Sequence, residues 1–385
     1  MTNYRIAVIG GDGVGPEVIA VGMEVLDAAA GARVVGGGRS GRGFSLSFEQ
    51  LPWGSDYHRA HGVMMPADGL TLLADFDAIY LGAVGRPDVP DHITLWGLLL
   101  PIRQQFDLYL NVRPVRLLPG VLSPLRDRGP DDIDMVVVRE NSEGEYAGIG
   151  GRAHAGQPIE VGIGVDVFTR TGVERLARYS FELARSRRGK LASITKSNAS
   201  PHHFVMWDEI VEAVYADYQD VDLERILVDA AAAYMISSPQ RFDVVVASNL
   251  FGDILTDIGA VIQGGMGMAA SANITPDRSK PGMFEPVHGS APDIAGTGKA
   301  NPIGAIWAGA MMLGHLGEKA ASTAILGAVE QVLASTPVRT ADLGGTASTT
   351  EVGQEVIRIL RGVPGGLTRY TPRPPPGPAT RAHAN

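Results

Sequence analysis

Asp253 and Asp257 stand one helical turn apart in the stretch VVVASNLFGDILTDIGA. The apolar run Val244–Ala247 before them reads as a buried strand, and Asn249 to Gly252 reads as a turn. The helix expected next would carry both carboxylates on one face, because residues four apart are neighbours on a helix surface. Like charges so placed repel. A divalent cation reverses the sign, since Mg²⁺ and Mn²⁺ take oxygen ligands from one or two carboxylates. The alternative is that the pair complements the positive N-terminal end of the helix dipole. That suits Asp253, but Asp257 lies past the first turn in an otherwise mostly apolar stretch. The segment alone leaves both readings open.

Three arginines follow apolar segments: Arg103 after LWGLLLPI, Arg113 in NVRPV and Arg139 after MVVV. A guanidinium presents a planar fork that matches a carboxylate bidentately, so three at sheet edges could converge on a substrate with several carboxylates. The alternative is that each pairs with a surface acid. Lys196 follows the strand pattern Leu191–Ile194, where open α/β sheets place ligands beyond the carboxyl ends of strands. Tyr146 comes shortly after Arg139. Either could be an ordinary surface residue; with a cation they would supply a base, an acid and an electrophile.

The glycine turn Gly10–Pro16 follows the first strand pattern and opens a helix, yet Pro16 stands where a dinucleotide fingerprint needs its last glycine. It reads as a tight strand-to-helix turn with Pro16 near the first helical position. The segment from Glu285 to Pro302 is dense in Gly, Pro and small polar residues, and is a loop too long for a simple turn.

The elements that must position these residues alternate. Strand patterns at Arg5–Ile9, Ala78–Leu81, Met135–Val138, Leu191–Ile194, Ile226–Val228 and Val244–Ala247 are separated by helical patterns such as Pro16–Ala29, Thr171–Arg185 and Val205–Tyr218. That implies an α/β fold with much parallel sheet. Residues 147–169 alternate loosely with glycine and read as a two-stranded arm, which needs a partner and suggests pairing across a dimer. Ala28–Gly43 reads as a flexible connection, and Gly362–Asn385, with PRPPPGP at its centre, as an extended, poorly ordered tail.

The chain has 385 residues, enough for two domains; hydrophobic content is 45% and charged content 19%, the globular range. A formal charge of −9 opposes general nucleic-acid binding but not a small anionic substrate held by local arginines. There is no cysteine, which removes thiolate and zinc–sulfur chemistry. No stretch reaches the ~18 apolar residues of a membrane span, and the N-terminus reads as a first strand rather than a signal peptide. A soluble cytoplasmic protein is expected.

These motifs together resemble the metal-dependent β-decarboxylating dehydrogenases, the isocitrate/isopropylmalate dehydrogenase family. LWGLLLPIR, GPDDIDMVVVREN and TKSN are most similar to its tartrate/D-malate branch, and the resemblance runs from Ile6 to about Leu360. It implies an isopropylmalate-dehydrogenase-like α/β fold with a large mixed, mostly parallel sheet, not a classical Rossmann fold. The implied cofactor-binding domain spans 1–109 and 264–361; the implied substrate, metal and dimerisation domain spans 110–263. Arg103, Arg113 and Arg139 match the arginines that hold substrate carboxylates, with Trp96 and Leu99 beside them. Tyr146 matches the acid–base tyrosine, Lys196 the catalytic lysine, and Asp229, Asp253 and Asp257 the metal ligands. In the family the lysine and the first aspartate come from the second subunit, which implies a homodimer with shared sites. Asn198, Glu285, His288, Gly289, Ser290, Ala291, Asp293, Ile294 and Asn301 match cofactor-binding positions. Asp293 favours NAD, because a carboxylate accepts from a ribose 2′-OH and repels a 2′-phosphate. The resemblance implies Mg²⁺ or Mn²⁺ and also admits K⁺.

The implied reaction is NAD-dependent oxidative decarboxylation of a small 2-hydroxy diacid, D-malate to pyruvate and CO₂, or tartrate oxidation. The bulky indole of Trp96, where isopropylmalate enzymes have a carboxylate, favours a small group on C3. The alternatives are the same chemistry on another 2-hydroxy diacid, 3-isopropylmalate-like, and more remotely a non-catalytic binding or regulatory homologue. Gly10, Arg86, Ala199, Pro201 to His203 and Ala270 depart from the family pattern and are expected near nicotinamide or substrate.

Overall fold

A computed structural model of the chain describes residues 2–31 and 43–362. The expected tail beyond Gly362 and most of the expected connection at 28–43 lie outside those residues; Ala28–Gly31 complete the first helix, Gly15–Gly31.

Twelve strands follow one another: β1 (Thr2–Gly11), β2 (Phe44–Gln50), β3 (Ala78–Ala83), β4 (Leu110–Arg116), β5 (Asp134–Glu140), β6 (Gly144–Ala153), β7 (Val161–Val167), β8 (Lys190–Thr195), β9 (Asp222–Leu227), β10 (Val244–Ala247), β11 (Ala270–Ile274) and β12 (Gly282–Pro286). Ten form one sheet in the order β2-β1-β3-β12-β11-β4-β5-β10-β8-β9. The pairs β2–β1–β3–β12 are parallel, as are β5–β10–β8–β9. Between these wings β12–β11–β4–β5 form an antiparallel seam. The strands of 1–109 and 264–361 thus lie on one side of the β11–β4 pair and those of 110–263 on the other. Wing strands such as β3 and β10 are buried along their whole length, which is why they read as continuous apolar runs.

The seam positions the chemistry. Directly paired residues, and residues two apart on one strand, point to the same face of a sheet. Asn273 pairs with Asn111, and Asn111 with Arg139. Arg113 follows Asn111 by two, Ser271 precedes Asn273 by two, and Ser271 pairs with Glu285. One face of the seam therefore carries a strip of polar side chains, all buried.

Three local expectations are corrected. Asn249 to Gly252 is not a turn but the first turn of the helix Asn249–Ile262, because the Ser248 hydroxyl caps it by accepting from Phe251 N–H at 3.4 Å. Val228 opens the helix Val228–Ser237 instead of ending β9. The helix expected at Val205–Tyr218 spans His203–Tyr215. The arm forms a separate antiparallel ribbon of β6 and β7, with Ile149 55% and Ile163 62% exposed.

The first glycine turn spends its backbone N–H groups inside the protein: Asp12 N–H donates to Ala83 O, Val14 N–H to Ser290 O and Gly15 N–H to Asp12 O. Gly13 has φ +58°, and a Cβ there would collide with the Ser290 carbonyl. The turn buttresses the loop after β12.

Candidate active site

Arg103, Arg113 and Arg139 line one cavity of about 430 Å³, with Tyr146, Asp253, Glu285 and His288. The three arginines are between 2% and 6% exposed. Arg113 and Arg139 stand on the seam strands, and Arg103 comes from the helix Leu100–Gln105. A π-helical turn, Leu95–Leu99, leads into that helix, with Leu100 N–H donating to the Leu95 carbonyl five residues back. It presents Leu95, Trp96 and Leu99 as the apolar wall of the cavity. The indole of Trp96 lies over Gly148, where φ is +73° and an added Cβ would run into the ring.

Each buried guanidinium has a defined partner. Arg139 donates to Asp253 Oδ1 at 2.5 Å and to Asn249 Oδ1 through both Nε (2.9 Å) and Nη2 (2.7 Å). Arg113 donates to Asp253 Oδ1 at 3.2 Å, Thr256 Oγ1 at 2.7 Å and Asn111 Oδ1 at 2.7 Å. Arg103 donates to Glu285 Oε1 at 2.7 Å, while its Nε is buried with no hydrogen-bond partner among the described residues. Burial, reinforced by Arg113 and Arg103, pushes Arg139 down to about 9, and burial likewise lowers Arg113. Cations held this uncomfortably gain from an anion that enters the cavity.

The Tyr146 hydroxyl donates to Asp253 Oδ2 at 3.2 Å. Burial and the Asp253 charge raise its pKa, so it stays protonated at neutral pH. Burial alone would raise Asp253; the charges of Arg139, Arg113 and Arg103 and the Tyr146 hydrogen bond outweigh it and hold Asp253 below its ordinary value. Asp257, one turn on, is raised by burial and then by Asp253. Its side chain makes no hydrogen bond or ion pair among the described residues. Two carboxylates repelling one another beside a cavity fit a hard divalent cation in their donor chemistry.

Lys196 and Asp229 lie elsewhere. β8 and β9 are neighbours, with Thr195 opposite Leu227, so the residues that follow them meet: Lys196 Nζ donates to Asp229 Oδ1 at 2.6 Å. That hydrogen bond lowers the pKa of Asp229, whose side chain is 65% exposed. Neither residue lines the arginine cavity, and Asn198 is exposed on their side of the sheet. Among the described residues no three of His, Asp and Glu gather as a metal cluster within one chain.

The residues expected to hold a cofactor divide. His288 and Gly289 line the cavity; burial lowers the pKa of His288, and its Nε2 is buried without a hydrogen-bond partner among the described residues. Ser290 is held by the glycine turn, Ala291 adopts φ +41°, and Asp293 and Ile294 are exposed in the short turn Pro292–Ile294. Glu285 is not on that loop's surface: it is the penultimate residue of β12 and the buried counter-ion of Arg103. Asn301 is engaged elsewhere, accepting from Ile303 N–H at 3.0 Å and donating to Asp342 at 3.0 Å. Arg86 pairs with Asp56 and Asp88 at 2.6 Å each and does not line the cavity. Asn111, Asn249, Asn273 and Thr256 went unread in the sequence. The available signal was a polar residue at every second position of a buried strand, as in Asn111-Val112-Arg113 and Ser271-Ala272-Asn273.

The comparisons with known proteins agree with this geometry. The family model for isocitrate/isopropylmalate dehydrogenase matches residues 5–356. The chain belongs to the isocitrate/isopropylmalate dehydrogenase family. Among curated relatives, a probable tartrate dehydrogenase/decarboxylase of Agrobacterium vitis is 53% identical over 94% of this chain and 99% of the relative. The D-malate dehydrogenase (decarboxylating) of Escherichia coli K12 is 51% identical, over 94% of this chain and 99% of its own. Among solved structures, an isocitrate dehydrogenase from Methylococcus capsulatus superposes with TM-score 0.81 at 33% identity, covering 93% of this chain and 99% of that one. This member of the isocitrate/isopropylmalate dehydrogenase family is therefore an enzyme with the family's two-winged mixed sheet.

Proposed function

We propose that the enzyme oxidises and decarboxylates a small 2-hydroxy diacid with NAD, D-malate or tartrate before others. The observation that carries this is the set of three buried arginines and Tyr146 in one cavity, walled on its apolar side by Trp96. The names of the similar enzymes, tartrate dehydrogenase/decarboxylase and D-malate dehydrogenase, point the same way.

Arg103, Arg113 and Arg139 bind and orient the two carboxylates. The unpartnered Nε of Arg103 is a donor ready for one of them. Asp253 and Asp257, with Asp229 of a second subunit, would hold Mg²⁺ or Mn²⁺. When bound, the cation supplies charge to acidify the substrate hydroxyl and to stabilise the enolate. NAD, when bound along His288–Ile294, supplies the hydride acceptor, with Asp293 placed for a ribose hydroxyl. Lys196 of the second subunit takes the hydroxyl proton, and Tyr146 returns a proton from its Oη to the enolate carbon. A homodimer is supported by the distance of Lys196 and Asp229 from their own chain's cavity. It is supported further by Ile236, Ile254 and Val261, each more than 50% exposed on the helices that carry Asp229 and Asp257.

The Trp96 indole, seated on Gly148, closes the side facing C3 of a bound 2-hydroxy diacid, which favours H or OH there. The test is NAD reduction, followed by absorbance with Mn²⁺ or Mg²⁺, against D-malate, the tartrates, 3-isopropylmalate and isocitrate. NADH from D-malate or a tartrate is expected, with NADP a poorer acceptor. Faster turnover of 3-isopropylmalate than of D-malate, or NADH from none of them, would sink the reading.

A further inference from the structure

Beneath the arginine cavity lies a row of buried amides that the chemistry above does not use. Arg113 Nε donates to Asn111 Oδ1 at 2.7 Å, Asn111 Nδ2 to Asn273 Oδ1 at 2.7 Å, and Asn273 Nδ2 to Glu285 Oε1 at 2.9 Å. The same Glu285 oxygen accepts from Arg103 Nη2 at 2.7 Å. Asn141 adds a second donor to Asn273 Oδ1 at 2.9 Å. Asn111 and Asn273 are 0% exposed, and Asn141 is 1% exposed.

The two ends fix the direction of the row. A guanidinium only donates and a carboxylate only accepts. Each amide between them therefore has a single orientation, oxygen toward Arg113 and NH₂ toward Glu285. Turning one over would set donor against donor on one side and acceptor against acceptor on the other, at side chains 0% exposed. Successive hydrogen bonds in one sense polarise one another, which stiffens the row. It also runs from β4 through β11 to β12, so it ties an arginine on one side of the seam to the acid that holds an arginine on the other. Three residues after Glu285 comes His288, the start of the expected cofactor loop.

We propose that Asn273, together with Asn111, is a positioning residue for diacid recognition, holding Arg113 and the Glu285–Arg103 pair at the separation of two carboxylates on one substrate. The amides touch neither substrate nor cofactor. They spare both guanidinium groups a rearrangement when the diacid binds. This rests on the reading of Arg103 and Arg113 as carboxylate-binding groups.

The test compares Asn273→Ala and Asn273→Asp with the wild-type chain. KM and kcat for D-malate are measured with NAD and Mn²⁺, and the dissociation constant of D-malate by calorimetry with Mn²⁺ and no NAD. For Asn273→Ala, KM and the dissociation constant should rise about tenfold or more, the effect of removing an outer partner of a binding group, with kcat little changed. Asn273→Asp separates positioning from mere filling of space. It keeps the oxygen that accepts from Asn111 and Asn141 but sets a carboxyl against Glu285. Two carboxyls at one site share a proton, one of their pKa values being raised. While that proton is present, the introduced carboxyl donates to Glu285 and the row is whole. Once it leaves, two anions face each other beside Arg103, with Arg113 and Arg139 the remaining charges nearby. The KM of this variant, divided by the wild-type KM at the same pH, should climb with pH, whereas the Asn273→Ala ratio stays flat. Asn273→Asp, close to isosteric, supplies the comparison even where Asn273→Ala does not fold. Variants that lose thermal stability yet keep KM within about twofold at every pH would overturn the proposal. Binding of D-malate without NADH formation would fail the reaction, and the same comparison is then read from the calorimetric dissociation constants at each pH. A wild type that binds none of the diacids would overturn both.

Discussion

Trp96 and Asp253 show how single side chains set what this site can do. Asp253 is shared by two arginines and a tyrosine, so its charge balances the cavity before any ligand arrives. Trp96, on the cavity wall, is the side chain proposed to select the ligand. Its indole is 42% exposed and lies over the bare backbone of Gly148. Trp96→Ala opens the space next to C3. A methylene in an apolar pocket is worth about 1–3 kcal/mol in discrimination. The variant should therefore raise the kcat/KM of a 3-alkyl malate relative to D-malate by about tenfold or more. An unchanged ratio across a series of 3-alkyl malates would show that the indole does not bound the C3 side.

At the scale of elements, the sheet separates support from chemistry. The inner wing strands β3 and β10 are buried along their whole length, and the antiparallel seam carries the polar strip beside the cavity. Helices far from that strip should then affect stability without touching substrate affinity. The helix Thr349–Leu360 is an example: Ser348 Oγ accepts from Glu351 N–H at 3.3 Å, and Glu351 accepts from Ser348 N–H at 2.7 Å. Ser348→Ala removes half of this capping box, at a cost of about 1 kcal/mol. Urea unfolding should show a lower midpoint while KM for the diacid stays at its wild-type value.

The whole molecule brings in the second subunit and the pH range. If each site takes Asp253 from one subunit and Lys196 from the other, Lys196→Ala and Asp253→Asn are each inactive alone. A mixed dimer holds one intact site and one doubly altered site. Co-refolding equal amounts should then restore about a quarter of wild-type activity, since half of the dimers are mixed and half of their sites intact. No recovery in a mixture shown to contain mixed dimers would place both residues within one subunit's site. His315, packed against Phe284 beneath β12, is pushed down to about 4 by burial and by Arg278. The unfolded chain takes up this proton near pH 6.5, before the folded chain does. The stability His315 contributes is therefore full above about pH 6.5 and is lost as pH falls toward 4, at most about 1.4 kcal/mol per unit. In His315→Asn, denaturant midpoints measured across that interval should fall less steeply than in the wild type.

Much of this was legible in residue order. Buried strands announce themselves as apolar runs, so β3, β5, β8 and β10 were readable within a residue or two, and so was the arm. Charged groups at strand ends marked Arg139 and Lys196, and the motifs marked the family. Where they lie relative to one another was not legible. Asn111 and Asn273 lie far apart along the chain, and only the β4–β11 register sets them side by side. Glu285 reads in the sequence as the start of a long loop, and the structure places it in β12 against Arg103. Lys196 and Asp229 match the same site by motif, from a second subunit, and the order β5-β10-β8-β9 sets them apart from Asp253 within one chain. The sequence by itself determined which groups can donate, accept and hold a charge, since that is fixed by covalent structure. Only the tertiary structure decided which of them share one buried space, because strand order and register, not spacing along the chain, bring side chains within hydrogen-bond reach.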